Sequence, residues 1–240
     1  AMNYSYRFMR FPGGKPKAVT FSYDDGVTQD IRLIEILDRF GLKATFNLNS
    51  ELLGKDGSLD ISGKKISHKK VAPSEIVGIY KGHEIAAHTL THPDMTAMSR
   101  DEVIRQVETD RLNLSELCGC EVVGMAYPGS RPNYNSRIAQ IIEENTGIKY
   151  ARTTICSGDF SLQRDLYEFH PSVFHRDWEN MYKLADRFLS EESNYESVFY
   201  IWGHSYEFDI NDEWNEFERF CRYISGHDNI FYGTNKEILL

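Results

Sequence analysis

Apolar residues fall along this chain in short runs that alternate with stretches of helical period. Ala18 to Tyr23 is rich in β-formers and predicts a strand. Thr28 caps a helix with Ile31, Ile34 and Leu37 on one face, and Gly41 ends it. Lys43 to Leu48 is the next strand. Residues 51 to 71 break the pattern: polar, with three Gly and five Lys, they predict a long surface excursion. Pro73 and Ser74 open a helix that stops near Gly82, and Glu84 to Ala87 is a short strand. Ser99 and Glu102 form a capping box ahead of Val103, Ile104, Val107, Leu114 and Leu117. Val122 to Tyr127 returns as a strand, Ile138 to Asn145 is helical up to Gly147, and Ile148 to Thr153 is a strand. Met181, Leu184 and Phe188 mark a helix face, Val198 to Trp202 a strong strand, Trp214, Phe217, Cys221 and Ile224 another helix, and Asn229 to Tyr232 a last strand. Strands alternating with helices predict a parallel α/β sheet. About seven βα units in one chain favour closure into a (β/α) barrel, a single domain over residues 1–240, and in such folds functional groups gather at the C-terminal ends of the strands.

Composition narrows the function classes. With 14 Tyr, 14 Phe and 3 Trp, the chain buries far more surface than a disordered one. A formal charge of −9 makes a poor binder of phosphate backbones, so nucleic acid is not an expected partner. No apolar run reaches the roughly 18 residues of a membrane-spanning helix, so no membrane is expected either. Ala1 ahead of Met2 reads as a residue left by expression. Met2 to Pro12 lacks a signal-like apolar stretch, so with Met2 as the start a cytoplasmic protein is expected. Four cysteines are too few for a disulfide scaffold. Cys118-Gly-Cys120 has no second pair to complete a structural zinc site, and Cys156 and Cys221 read as small buried residues.

Four polar clusters sit at predicted strand ends. Asp24-Asp25-Gly26 follows the first strand. In a continuing strand the two carboxylates face opposite sides, whereas a sharp turn at Gly26 brings both to one pocket. His88-Thr-Leu-Thr-His92 follows the strand at Glu84 to Ala87. Histidines at i and i+4 share a face in one helical turn, the spacing with which two imidazoles grip one metal ion. A carboxylate from Asp24 or Asp25 completes a three-ligand site with an open position. His204 follows Gly203 and titrates near neutrality, as a general acid or base must. Ala126-Tyr127-Pro128-Gly129 is a turn whose backbone N–H groups can donate to an oxyanion. Taken singly, each cluster also has a plain structural reading as turn or loop chemistry.

In order, Thr20-Phe-Ser-Tyr-Asp24-Asp25-Gly26, Gly82-His-Glu-Ile-Ala-Ala-His88-Thr-Leu-Thr-His92-Pro93 and Gly203-His204 resemble the polysaccharide deacetylases of the NodB-homology type, the carbohydrate esterases of family four. The resemblance runs from Lys17 to His204. It implies a distorted (β/α) barrel, often seven-stranded, and hydrolysis of sugar acetyl groups by attack of metal-bound water. Asp25, His88 and His92 would then hold one divalent ion, zinc first, with cobalt, nickel or manganese as alternatives. Asp24 would be the general base and His204 the general acid, with the oxyanion between the metal and a backbone N–H near Tyr127.

The family often has an Arg-x-Pro-aromatic motif whose Arg orients the base. Here the segment reads Tyr127-Pro-Gly-Ser-Arg131-Pro-Asn-Tyr134, a departure that leaves Arg131 and Arg152 as substitutes. The family's Asp-Trp element, whose Asp supports the acid histidine, is similar to Asp177-Trp178. His83 matches a family histidine before the strand and reads as structural. His68, His170, His175 and His227 carry no motif. Tyr127, Trp202, Tyr206 and Phe208 flank motif strand ends and are expected to hold the acetylated carbohydrate, with core packing as the other reading of Trp202. A mouth narrowed by the 51–71 excursion suits short oligomers or a small molecule. Two further readings keep this framework: an enzyme for O-acetyl xylan or a small amide, and a sugar-binding protein without turnover. Retention of Asp24, Asp25, His88, His92 and His204 together argues against the last.

Overall fold

The computed structural model describes residues 11–129, 132–192 and 195–240. Among them the chain runs β1 (Lys17–Asp24), α1 (Asp30–Arg39), β2 (Ala44–Leu48), β3 (Ser58–Ile61), β4 (Lys64–Ser67), α2 (Ile76–Ile79), β5 (Glu84–Ala87), α3 (Arg100–Ile104), a π turn (Arg105–Thr109), α4 (Asp110–Cys118), β6 (Gly124–Ala126), α5 (Ser136–Asn145), β7 (Tyr150–Arg152), β8 (Val173–Phe174), α6 (Trp178–Ser190), β9 (Ser197–Gly203), α7 (Trp214–Ile224), β10 (Ile230–Tyr232) and α8 (Asn235–Leu239).

Every residue of β1 and β2 is buried, as expected for parallel strands covered on both faces. The parallel strands follow the order β7-β6-β5-β2-β1-β9-β8, and β10 pairs with the N-terminal half of β1. The sheet curls into the expected distorted (β/α) barrel. The extended segment 169–174 spans the gap between its two ends. Phe169 exchanges backbone hydrogen bonds with β7, while Val173 and Phe174 pair with Ile201 and Trp202 of β9. Tyr23, Phe46, Phe199 and Ile201 fill the core with Leu33 and Leu37 of α1 and Phe217 of α7.

Register delivers the strand-end residues to one rim. Tyr23 of β1 pairs with Gly203 of β9, so Asp24 and His204 leave adjacent strands at one level. Leu48 pairs with Ala87, so Asn49 and His88 leave together. Ala126 pairs with Arg152.

Several local expectations fail for identifiable reasons. α1 begins at buried Asp30 without a side-chain cap, and its buried face is Leu33, Ile34, Ile36 and Leu37, so Ile31 is exposed. Leu117 is exposed as well. The 51–71 excursion holds the antiparallel hairpin β3–β4, closed by Ser62 (φ 52) and Gly63 (φ 77), two left-handed residues that match a tight hairpin turn. Its two strands are only four residues each and lie in a lysine-rich polar stretch, so the brief alternation of Leu59 and Ile61 with polar neighbours is easily passed over. Two-residue β8 is too short to show a period. α8 did carry a signal, the capping box Thr234–Glu237. No helix among the described residues is long and apolar enough to cross a membrane.

Candidate active site

β1 does not run on past Asp24. Asp25 takes a left-handed backbone (φ 83), an uncommon state for a residue with a side chain, and Gly26 follows at φ 63. The kink turns both carboxylates to the same cavity, of about 580 Å³. The returning strand after β4 straps this turn in place. Thr28 N donates to Lys69 O at 2.8 Å, Val71 N to Gly26 O at 2.9 Å, and Lys70 Nζ to Asp25 O at 2.7 Å. His68 Nε2 lies 3.0 Å from Asp25 Oδ2.

Asp24 is buried and meets Arg152 through two contacts, Nη1 to Oδ1 at 2.9 Å and Nη2 to Oδ2 at 2.6 Å. Asn47 Nδ2 donates to the same Oδ1 at 2.9 Å. The guanidinium is fully buried, donates to Ser22 Oγ, and stacks 4.7 Å from the centre of the Trp202 ring. Burial alone would raise the Asp24 carboxyl; the Arg152 charge overrides it and holds the group below the usual carboxylate range. Arg152 is therefore the arginine that pairs with Asp24. Arg131 lies outside the described residues.

The loop carrying His88 and His92 is not the helical turn their spacing predicts. Thr89 (φ 72) and His92 (φ 60) are both left-handed, and the two imidazoles meet across a folded loop with ring centres 5.0 Å apart. A second layer holds that loop. Asn49 Nδ2 donates to the carbonyls of His88 and Thr89, at 2.6 and 3.0 Å. Buried Asp110 accepts from the amides of His88 and Ser50, at 3.0 and 2.7 Å, and burial pushes its carboxyl up to about 8. The π turn widens the helix beside the loop. There the Gln106 carbonyl accepts from Leu90 N at 3.0 Å, and the Gln106 side chain donates to Thr91 Oγ1 and accepts from Thr91 N.

His88 Nδ1 lies 2.8 Å from the Ala126 carbonyl, so it carries the proton and Nε2 keeps its lone pair. That Nε2 sits 3.5 Å from Asp25 Oδ1, and His92 Nε2 sits 3.4 Å from the same oxygen. Oδ1 is buried and has no hydrogen-bond partner. Two imidazole lone pairs around an orphaned carboxylate oxygen form a donor set suited to a divalent transition metal. Burial would raise Asp25, but the His204 charge and the His68 hydrogen bond hold it well below the usual range.

His204 faces this group from β9, with Nε2 3.9 Å from Asp25 Oδ2. Its Nδ1 lies 3.0 Å from Glu207 Oε1, which also accepts from His204 N and contacts His175 Nε2 at 2.9 Å. Burial would lower His204; the Glu207 and Asp25 charges outweigh it and push it up to about 9. Support for this histidine thus comes from Glu207 and not from Asp177, which caps α6, while Trp178 stacks on Phe208 and donates to Glu213. Gly203 makes room for His175, since a Cβ there would lie 2.1 Å from the ring.

The remaining residues sort cleanly. Trp202, Tyr206, Phe174 and the backbone of Gly129 line the cavity, whereas Phe208 is buried in the core. Tyr127 also lines it, but its amide donates to the Arg152 carbonyl at 3.0 Å and Pro128 has no N–H, so the next backbone N–H of that turn is that of Gly129, which lines the cavity. Cys156 is exposed on the rim, contrary to the expected burial, and Cys221 is buried. His83 is structural, bonded to Asp38 and the Ala44 amide. Sequence reasoning missed His68, His175, Glu207, Gln106 and Asp110. Of these only Glu207, three residues past His204, stood close enough to a motif to be found.

A barrel whose strand ends converge on this constellation defines a class of hydrolase-like proteins. The family model for polysaccharide deacetylases matches residues 3–151, more than half of the chain, and the chain belongs to that family. Solved structures with the same fold include a Mycobacterium smegmatis protein provisionally named a polysaccharide deacetylase, with 17% identity, a TM-score of 0.68, and coverage of 95% of this chain and 91% of that one. A Streptococcus pyogenes deacetylase in complex with acetate has 21% identity and a TM-score of 0.50 over 62% of this chain, which spans 61% of its length. A CE4 family pseudoenzyme from Bacillus anthracis has 16% identity and a TM-score of 0.52, with coverage of 94% and 66%. No curated protein matches the chain.

Proposed function

We propose that this chain is a metal-dependent deacetylase that removes acetyl groups from N-acetylated carbohydrate. The observation that carries this reading is the orphaned Asp25 Oδ1 facing the Nε2 atoms of His88 and His92, with Asp24 and His204 on either side. Asp25, His88 and His92 hold the ion, with zinc the first candidate. A divalent metal at such a site lowers the pKa of water and polarises a carbonyl. His68 keeps Asp25 Oδ2 occupied, so that Oδ1 stays directed at the histidines.

The protein's own groups move the protons. Asp24, ionised and fixed by Arg152, takes the proton from the attacking water. The Gly129 amide is offered to the developing oxyanion. His204, paired with Glu207, gives its proton to the leaving nitrogen. An amide needs that proton, because an amine anion is a poor leaving group. One fold neighbour is a pseudoenzyme, so turnover itself is the test. Zinc-loaded protein is expected to release acetate from N-acetylglucosamine oligomers. Chelation, or His92→Ala, is expected to abolish both acetate release and stoichiometric zinc uptake. Full-affinity zinc binding by His92→Ala would remove His92 from the ligand set, and zinc bound without acetate from any carbohydrate would leave a hydrolase of a small amide or a binding protein.

His204 has its own signature. His204→Ala is expected to lower kcat on N-acetyl sugars about 10²-fold or more, the scale of general acid catalysis. Activated aryl acetates, whose leaving groups need little protonation, should lose much less. Equal losses on amide and aryl ester would assign His204 to substrate positioning.

A further inference from the structure

Beside the catalytic cavity lies a second one of about 530 Å³, and the two share Asp25, His92 and Tyr206. Its outer wall is the excursion that carries the β3–β4 hairpin, through Lys55, Leu59, His68 and Lys70. A ligand with its acetyl group over the Asp25–His88–His92 set therefore has room to extend past Tyr206 into this lobe.

The lobe is lined by two lysines, Lys55 and Lys70, and by two carboxylates. Lys70 is 6% exposed, yet its ammonium has a single acceptor, the Asp25 carbonyl, and no carboxylate within ion-pair distance among the described residues. An ammonium has three donors, so two remain. Burying a charge is costly unless a partner compensates it; the carboxylates of Asp25, Asp30 and Asp24 act on the Lys70 charge from beyond ion-pair distance, and none of them takes a hydrogen bond from it. Lys55, exposed at the mouth, has no side-chain hydrogen bond or ion pair among the described residues. Of the two carboxylates in the lining, Asp25 faces the histidine pair and Asp56 pairs with Lys69 at 3.7 Å. A divalent cation at Asp25 would cancel that carboxylate's charge and leave the lobe more positive.

We propose that this second lobe binds an acidic group of the sugar, a carboxylate or a phosphoryl ester, paired with Lys70 and Lys55. The preferred substrate is then an acidic N-acetyl sugar over a neutral one. The inference rests on the deacetylase reading for the acetyl end of the ligand. Its test uses deacetylated products, which are not turned over, so it gives an answer whether or not acetate is released.

Calorimetry on zinc-saturated protein would compare glucosamine, glucosamine 6-phosphate and muramic acid. At least one acidic sugar is expected to bind about tenfold or more tightly than glucosamine, the ratio a charge-assisted contact supplies. Tighter binding of glucosamine 6-phosphate assigns the phosphoryl group, and of muramic acid the carboxylate. Lys70→Gln is expected to bring the acidic-to-neutral ratio close to one. Lys55→Gln, at an exposed position with little bearing on folding, should lower it severalfold. The ratio cancels any loss common to both ligands. Equal affinities in the unaltered protein, or a ratio that survives both substitutions, would overturn the assignment. Failure to release acetate from any N-acetyl sugar would overturn the deacetylase reading alone.

Discussion

Asp24→Asn is expected to lower kcat on N-acetylglucosamine oligomers by about 10³-fold, within the range of general base catalysis, while zinc still binds one per chain. The two readouts separate because Asp24 and Asp25 have different partners. Asp25 Oδ1 is the oxygen with no hydrogen-bond partner, beside both histidines. Asp24 spends its oxygens on Arg152 and Asn47 and lies 3.9 Å from His88 Nε2. An asparagine keeps the shape and loses the proton acceptor. It also turns an N–H toward one guanidinium N–H, so some stability goes with it, about 1–3 kcal/mol for an unmatched buried donor. Activity, zinc content and the urea midpoint, measured on one preparation, distinguish these effects. Activity within tenfold of the unaltered protein would assign the base elsewhere.

Arg152→Met is expected to cost about 3–5 kcal/mol of folding stability at pH 7, because it strands the Asp24 carboxylate without a counter-charge in the interior. The pH dependence has a definite sign. With Arg152 present, Asp24 is held below its unfolded value, so its contribution is full above about pH 4 and is lost as the pH falls through the lower folded value. Without Arg152, burial dominates and the folded carboxyl rises above its unfolded value. Its contribution is then fully present below the unfolded pKa and lost as the pH rises through the folded one. The gap between the two proteins in denaturant unfolding of the metal-free chain should therefore narrow toward pH 4. A gap independent of pH would mean that Arg152 stabilises through its packing on Trp202 and not through Asp24.

The sheet was legible because its central strands read as β-forming runs that end at Asp24, His88 and His204. Those runs are what two-sided burial requires, and the parallel register then brings their ends together. The site was legible where its residues sit on such ends. It was not where they arrive from elements without an apolar signature. His68 follows β4, a short and mostly exposed hairpin strand, and His175 follows a two-residue strand. The paired Arg152 differs: it stood at a predicted strand end, but only the packing of β7 across the barrel mouth could rank it above Arg131. The helical reading of 88–92 failed because the spacing of two histidines does not encode backbone handedness. Left-handed Thr89 and His92 bring the rings together by another path.

The π turn over Arg105–Thr109 amounts to one surplus residue lodged in a helix. Each residue advances an α-helix by about 100°, so deleting one here would restore regular winding and rotate one half against the other by that angle. The upstream half is anchored by Val103 against the core, and the downstream half by Leu114 and by Asp110 beneath His88. Both anchorages cannot survive the deletion. The segment is thus a phase lock. Changes of residue type along its outer face leave the winding intact, whereas a change of length by a single residue forces a choice between a packed helix and a supported histidine loop.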